Sequence, residues 1–186
     1  MFFLYVVPIA NEKKMEEWRG MTPQQMGTMI HDWFKEDGFP IDDAAVPNTD
    51  FSWSVTLSKR KIYVLKFKNK LDSIVISGGL FFGDKKEVLL DNPKVGDLFY
   101  ELTTKYLELG LNYNFQPLFQ NADLIEFSRH IHYDGLTKHG LIQTVSQVRN
   151  MIVWTQQKLS KGIDGTMDIS DLESVSSPVS GGLAFD

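Results

Sequence analysis

Cysteine is absent from the 186 residues. That excludes a disulfide framework, a thiolate zinc site and a cysteine nucleophile, and it suits a reducing cytoplasm. Long apolar runs are missing as well; nothing approaches the ~20 residues that span a bilayer. Positive charge is in short supply. The chain has 19 Lys and Arg against 24 Asp and Glu, a formal net charge of −5 and a sequence pI of about 5.4. A general nucleic-acid binder needs a basic surface that displaces counterions, so the balance disfavours that class. The G-x-S-x-G nucleophile elbow is lacking. So is a glycine-rich phosphate loop, because Gly78-Gly79 has neither a following helix start nor a lysine partner.

What is present reads as one globular domain, with 42% hydrophobic and 23% charged residues. Residues 1–21 form an N-terminal arm. Its start, MFFLYVV, has no basic residues ahead of it and runs at once into Pro8 and a charged stretch. It is expected to be an extra strand, a core plug or a partner-binding arm rather than a signal peptide. Thr22, Pro23 and Gln25 make a capping box with proline at the first helical position. Met26, Met29, Ile30, Trp33 and Phe34 then keep helical spacing up to Gly38. Residues 42–50 have no periodicity and read as a loop.

From Phe51 the period becomes two: Phe51, Trp53, Val55 and Leu57 alternate with Ser52, Ser54, Thr56 and Ser58. The serines read as solvated positions rather than nucleophiles. Two more strands follow, at 62–67 and 72–76, apolar on both sides. Such strands sit mid-sheet with both faces covered, by a helix of this chain or by a second subunit. Gly78-Gly79 is expected to end or bulge the third strand. Lys66, Lys68 and Lys70 look like a basic edge that discourages edge-to-edge pairing.

After an uncertain connection at 84–90, Asn92 and Pro93 open a second helix, with Val95, Leu98, Phe99, Leu102 and Tyr106 as its stripe and Gly110 as its stop. A fourth strand covers 112–119. The fifth, from 123, puts Ile125, Phe127, Ile131 and Tyr133 on a dry side and Glu126, Ser128, His130 and His132 on a wet one. A long helix over 137–160 is about 36 Å in length, enough to cross five strands. Gly140 inside it would be tolerated where backbone packs closely on the sheet. Residues 163–186 are rich in Ser, Gly and Asp and read as a disordered acidic tail. Ile169, Leu172, Val175 and Val179 leave room for a segment that folds on a partner, which would make the tail the working part. The expected fold class is α+β, in the order α-β-β-β-α-β-β-α, with an antiparallel five-stranded sheet packed by helices across a single domain at 22–162.

Two groups of residues are candidates for function. His130-x-His132-x-Asp134 matches most of a metallo-hydrolase pattern, and residues two apart on a strand share a face. Gly135 replaces that pattern's next ligand, though, and His31 and His139 are the remaining histidines. A zinc site needs three or four ligands in register, so a metal-dependent hydrolase is the alternative rather than the main reading. Leu80, Phe81 and Phe82 form an apolar run between glycines. With Phe2, Phe3 and Tyr5 of the arm they are the candidate partner-binding residues, unless the run tucks under the second helix. No catalytic signature and no cofactor are implied.

The stretch Ile30 to Gly38 (IHDWFKEDG), the meander over 51–76 and the stretch Ile131 to Lys138 (IHYDGLTK) leading into the last helix carry a resemblance. Over residues 22–162 the chain resembles archaeal families of uncharacterised function whose fold is like that of class I type III secretion chaperones. The resemblance implies a small, acidic, cytoplasmic homodimer that holds extended polypeptide in apolar grooves. The expected function is therefore a non-catalytic protein- or peptide-binding domain, without nucleic-acid or membrane partners.

Overall fold

A computed structural model describes residues 20–70, 72–83, 86–116 and 123–162. Helix α1 (Pro23–Glu36) starts as its capping box dictates: Thr22 Oγ1 accepts from the Gln25 amide at 3.2 Å, and the Gln25 side chain accepts from the Thr22 amide at 2.8 Å. It stops at Gly38, whose φ of 74° lets the Phe39 amide reach back to the Phe34 carbonyl. Six strands follow in the sheet: β1 (Ile41–Asp43), β2 (Thr49–Leu57), β3 (Arg60–Phe67), β4 (Ser73–Phe81), β5 (Asn112–Gln116) and β6 (Leu124–His132). Their spatial order is β1-β2-β3-β4-β6-β5, antiparallel throughout.

The expected count of five is corrected by β1. Two of its three residues, Asp42 and Asp43, lie where a loop was read, and the strand pairs Ile41 to Val55 and Asp43 to Trp53. Backbone pairing makes this strand, and two exposed acids at the sheet edge leave no apolar period to detect. A short helix, α2 (Lys86–Leu90), occupies the connection left open at 84–90, and places Leu89 in the core. α3 (Val95–Glu108) begins after Asn92, whose side chain accepts from the Lys94 amide at 2.9 Å. α4 (Lys138–Gly162) follows a 3-10 turn at Tyr133–Gly135.

All the helices whose packing is described lie on one face of the sheet. The main core joins Met26, Ile30 and Phe34 of α1, Phe99, Leu102 and Tyr106 of α3, and Leu141 to Leu159 of α4 with Val55, Ile62, Ile76, Leu80 and Phe127 of the strands. α4 crosses the centre of the sheet, over β3, β4 and β6. Gly78 permits that crossing: a Cβ there would stand 2.9 Å from the Cδ1 atoms of Ile152 and Ile62. Gly78-Gly79 therefore neither ends nor bulges β4. The register runs through it unbroken, Gly78 opposite Phe127 and Gly79 opposite Glu126. Gly140, by contrast, is not a point of approach to the sheet. Its virtual Cβ would meet Thr137 Oγ1 at 3.0 Å, and that hydroxyl caps α4 by accepting from the Gly140 amide.

The opposite face is also buried. Tyr63, Leu65 and Val75 cluster there with Phe67 and with Ala44 and Val46 of the β1–β2 connection. The strands expected to be dry on both sides are so. The side expected to be wet on β2 and β6 is so only in part: Ser54 of β2 and Glu126 and Ser128 of β6 are buried, alongside Ser77 of β4, while Ser58 and His132 are exposed and Ser52, Thr56 and His130 half-buried. Lys66 is no edge guard either. It is 2% exposed in a central strand, with its ammonium donating to the Phe67 and Lys70 carbonyls and 3.5 Å from Asp50.

Candidate functional site

The sequence-predicted residues separate into three groups. Leu80 and Phe82 are wholly buried, in contact with the core that α2 and α3 cover, while Phe81 points to the other side of β4 and is 42% exposed. The run is thus the end of a strand, not an apolar loop. Phe2, Phe3 and Tyr5, like the tail, lie outside the described residues.

His130 and His132 share the second face of β6, opposite Val75 and Ser73. Burial lowers the His130 pKa, the Lys70 and His132 charges lower it further, and Asp72 works in the opposite direction. The carboxylate beside His132 is Asp72 of the β3–β4 turn, 3.6 Å from Nδ1, and not Asp134, which is exposed on the 3-10 turn. His31 stacks at an angle on Trp53, with ring centroids 4.9 Å apart, and His139 is exposed at the start of α4. Among the described residues no group of three His, Asp or Glu is arranged to hold a metal ion. Tyr133, next to this group, has its phenol pushed up to about 12 by burial and then by Asp50 and Asp72. It stays neutral at ordinary pH.

A further cluster was not anticipated. Four large hydrophobic residues are exposed among those described, and three belong to α3 or its end: Tyr100 at 76%, Leu107 at 66% and Leu109 at 45%. Tyr100 and Leu107 are seven residues apart, so they sit on one line, opposite the stripe of Leu102 and Tyr106 that enters the core. Leu109 turns toward α4 and, with Leu111, Met151, Trp154, Lys105 and Asn150, lines a cleft of about 320 Å³. The Lys158 ammonium lies 5.6 Å from the Trp154 ring centre and pairs with Glu101, which bridges α4 to α3. A signal for this surface was in the sequence: Tyr100, Leu107 and Leu109 are apolar residues left off the buried stripe.

Among the described residues the second face holds one buried acid. Glu126 accepts from Ser77 Oγ at 2.8 Å; burial raises its pKa and the Ser77 bond pulls it back down. It stands beside Gly79 and Asn114 in the ladder.

Helices on one face of an antiparallel six-stranded open sheet define a mixed α+β protein. The family described as uncharacterized conserved protein (DUF2299) matches residues 26–159, well over half of the chain, and the chain belongs to that family. No curated protein matches it. Among solved structures it is similar to an uncharacterized protein from Methanothermobacter thermautotrophicus, an archaeon, with a TM-score of 0.65 and 17% identity over 72% of this chain and 96% of that one. At that identity the likeness is one of fold. No helix among the described residues is long and apolar enough to cross a membrane.

Proposed function

We propose that the domain is a non-catalytic protein-binding module that acts as a homodimer, with the outward line of α3 and the adjoining α3–α4 cleft as its docking surface. The observation that carries this reading is the concentration of exposed Tyr100, Leu107 and Leu109 on one helix and its end. Scattered surface hydrophobics need no explanation, whereas a contiguous patch rimmed by polar groups marks an interaction site. The rim carries both signs of charge, as Lys105 paired with Glu108 and Lys158 paired with Glu101. A two-fold interface must be complementary to itself, and a rim of mixed sign meets that requirement. The resemblance to type III secretion chaperones, in a pattern now extended by β1 and α2, is in keeping with a dimer that holds apolar polypeptide.

Sedimentation equilibrium tests the proposal. The full chain is expected to be dimeric at micromolar concentration, and Tyr100→Lys combined with Leu107→Glu to leave a folded monomer, because neither side chain contributes to the core. A monomeric parent chain, or a dimer indifferent to both changes, would end this reading.

A further inference from the structure

Charge is distributed unevenly in this acidic chain. Residues 51–71, which hold the β2–β3 hairpin, contain six Lys or Arg, and α4 contains four, together ten of the chain's 19; neither stretch has an Asp or Glu. The fold brings part of each together: the Arg60 end of the hairpin lies against the Arg149–Gln156 part of α4. Elsewhere in the two stretches, Lys66 is buried beside Asp50, Lys138 pairs with Glu36 and Asp37, and Lys158 pairs with Glu101. Arg60 opens β3 on the helix side of the sheet, and its guanidinium donates to Gln156 of α4. Arg149 lies near enough to Arg60 that their like charges help to lower the Arg60 pKa, after burial. Beside them, Ser58 and Lys59 form a two-residue turn with φ of 48° and 68°. Both positions favour Asn or Gly, so the turn holds Lys59 in place at a conformational cost.

Residues 163–186 are the complement. They contain Asp164, Asp168, Asp171, Glu173 and Asp186 and no Lys or Arg, which equals the net charge of −5 of the whole chain. We infer that this tail docks in cis on the basic surface formed by the β2–β3 hairpin and α4, running back along the helix it follows. The reach fits. Gln156 lies six residues before Gly162, about 9 Å along the helix axis, and Arg149 about 20 Å. An extended chain covers ~3.4 Å per residue, so Asp164 falls about 7 Å beyond Gly162 and Asp168 about 20 Å. The first acid is thus in range of Arg60 and the second of Arg149. A tether this short holds the acids at an effective concentration of order millimolar, so weak individual pairs suffice. Because exposed charges are screened over about 10 Å at 0.1 M salt, the docking is salt-sensitive.

The absence of cysteine makes the test direct. A spin label is attached to the full chain at Ser170→Cys, and amide signals are followed by NMR. At low salt the amides of 59–61 and 149–156 are expected to lose half or more of their intensity. They recover in 0.5 M sodium chloride and in Arg149→Glu. Lys59→Glu combined with Lys161→Glu, both exposed, provides the same readout should Arg149→Glu fail to fold. Absence of broadening at low salt overturns the inference, as does broadening that survives every charge reversal. Broadening that arises only between labelled and unlabelled molecules in a mixed sample overturns docking in cis.

Discussion

Glu126 shows how much a single side chain can contradict its pattern. Alternation puts it on the same side as His130 and His132, and alternation is right about the side. It is wrong about the water, because Glu126 is 7% exposed and Ser128 2%. Alternation reports which face a residue is on, and whether that face is covered depends on the rest of the chain. The consequence for stability has a definite sign. The Glu126 pKa in the folded protein is raised by burial above its ordinary value, so the folded state retains the proton that the unfolded chain gives up. The contribution is fully present below the ordinary glutamate range and is lost as pH rises through the folded value. Urea unfolding at a series of pH values is expected to show the parent chain losing stability relative to Glu126→Gln on going from acid to neutral pH. The variant retains an acceptor for Ser77 and has no proton to lose. A difference that grows in the opposite direction would mean that the carboxylate is stabilised by its surroundings. Lys66 is the converse case: the alternation of lysines looked like an edge, and the structure buries the first of them beside Asp50.

At the scale of the element, the helices were the most legible parts. α1 begins and ends where Thr22 and Gly38 place it, and the buried residues of α4 repeat at the expected spacing. The 3.6-residue period is carried by each helix alone, so no tertiary information is needed to read it. β1 was illegible because three backbone-paired residues, two of them exposed acids, carry no period. Gly78 was misread for a different reason. A glycine in a strand marks either a break in the ladder or a close approach by another element, and sequence cannot separate the two. Here it is close approach: α4 lies so near that Ile152 and Val148 fill the space a side chain would take. Gly78→Val is therefore expected to cost about 1–3 kcal/mol through overpacking. Gly78→Ala costs less, because its Cβ meets only the mobile ends of Ile152 and Ile62. Equilibrium unfolding in denaturant measures both. Equal stability for Gly78→Val and the parent would show that the helix can lift from the sheet without loss.

Across the whole molecule the sequence revealed the class and the central layer but not the asymmetry. Each strand shows which residues share a face, yet only the assembled sheet shows that α1, α3 and α4 all take the same one. The candidate surface on α3 was hidden for a related reason, since Tyr100 and Leu107 matter only once Leu102 and Tyr106 are seen to face the core. That core is continuous. It begins at Met26 in α1, passes through β2, β3, β4 and β6, and ends at Leu159 in α4. Tyr106 ties α3 to α4 within it, its hydroxyl 2.8 Å from Thr155 Oγ1 and its ring edge-on to Phe127. A domain whose first and last helices share one apolar cluster has no interior boundary along which to come apart, so unfolding should be all-or-none. Phe34→Ala near one end of the chain and Leu159→Ala near the other each remove a buried side chain, at a cost of about 2–5 kcal/mol. Both are expected to lower one common transition in scanning calorimetry, with calorimetric and van't Hoff enthalpies still equal. If Phe34→Ala split the transition in two, α1 and the β1–β2 edge would be a separate unit resting on a core formed by β4, β6 and α4.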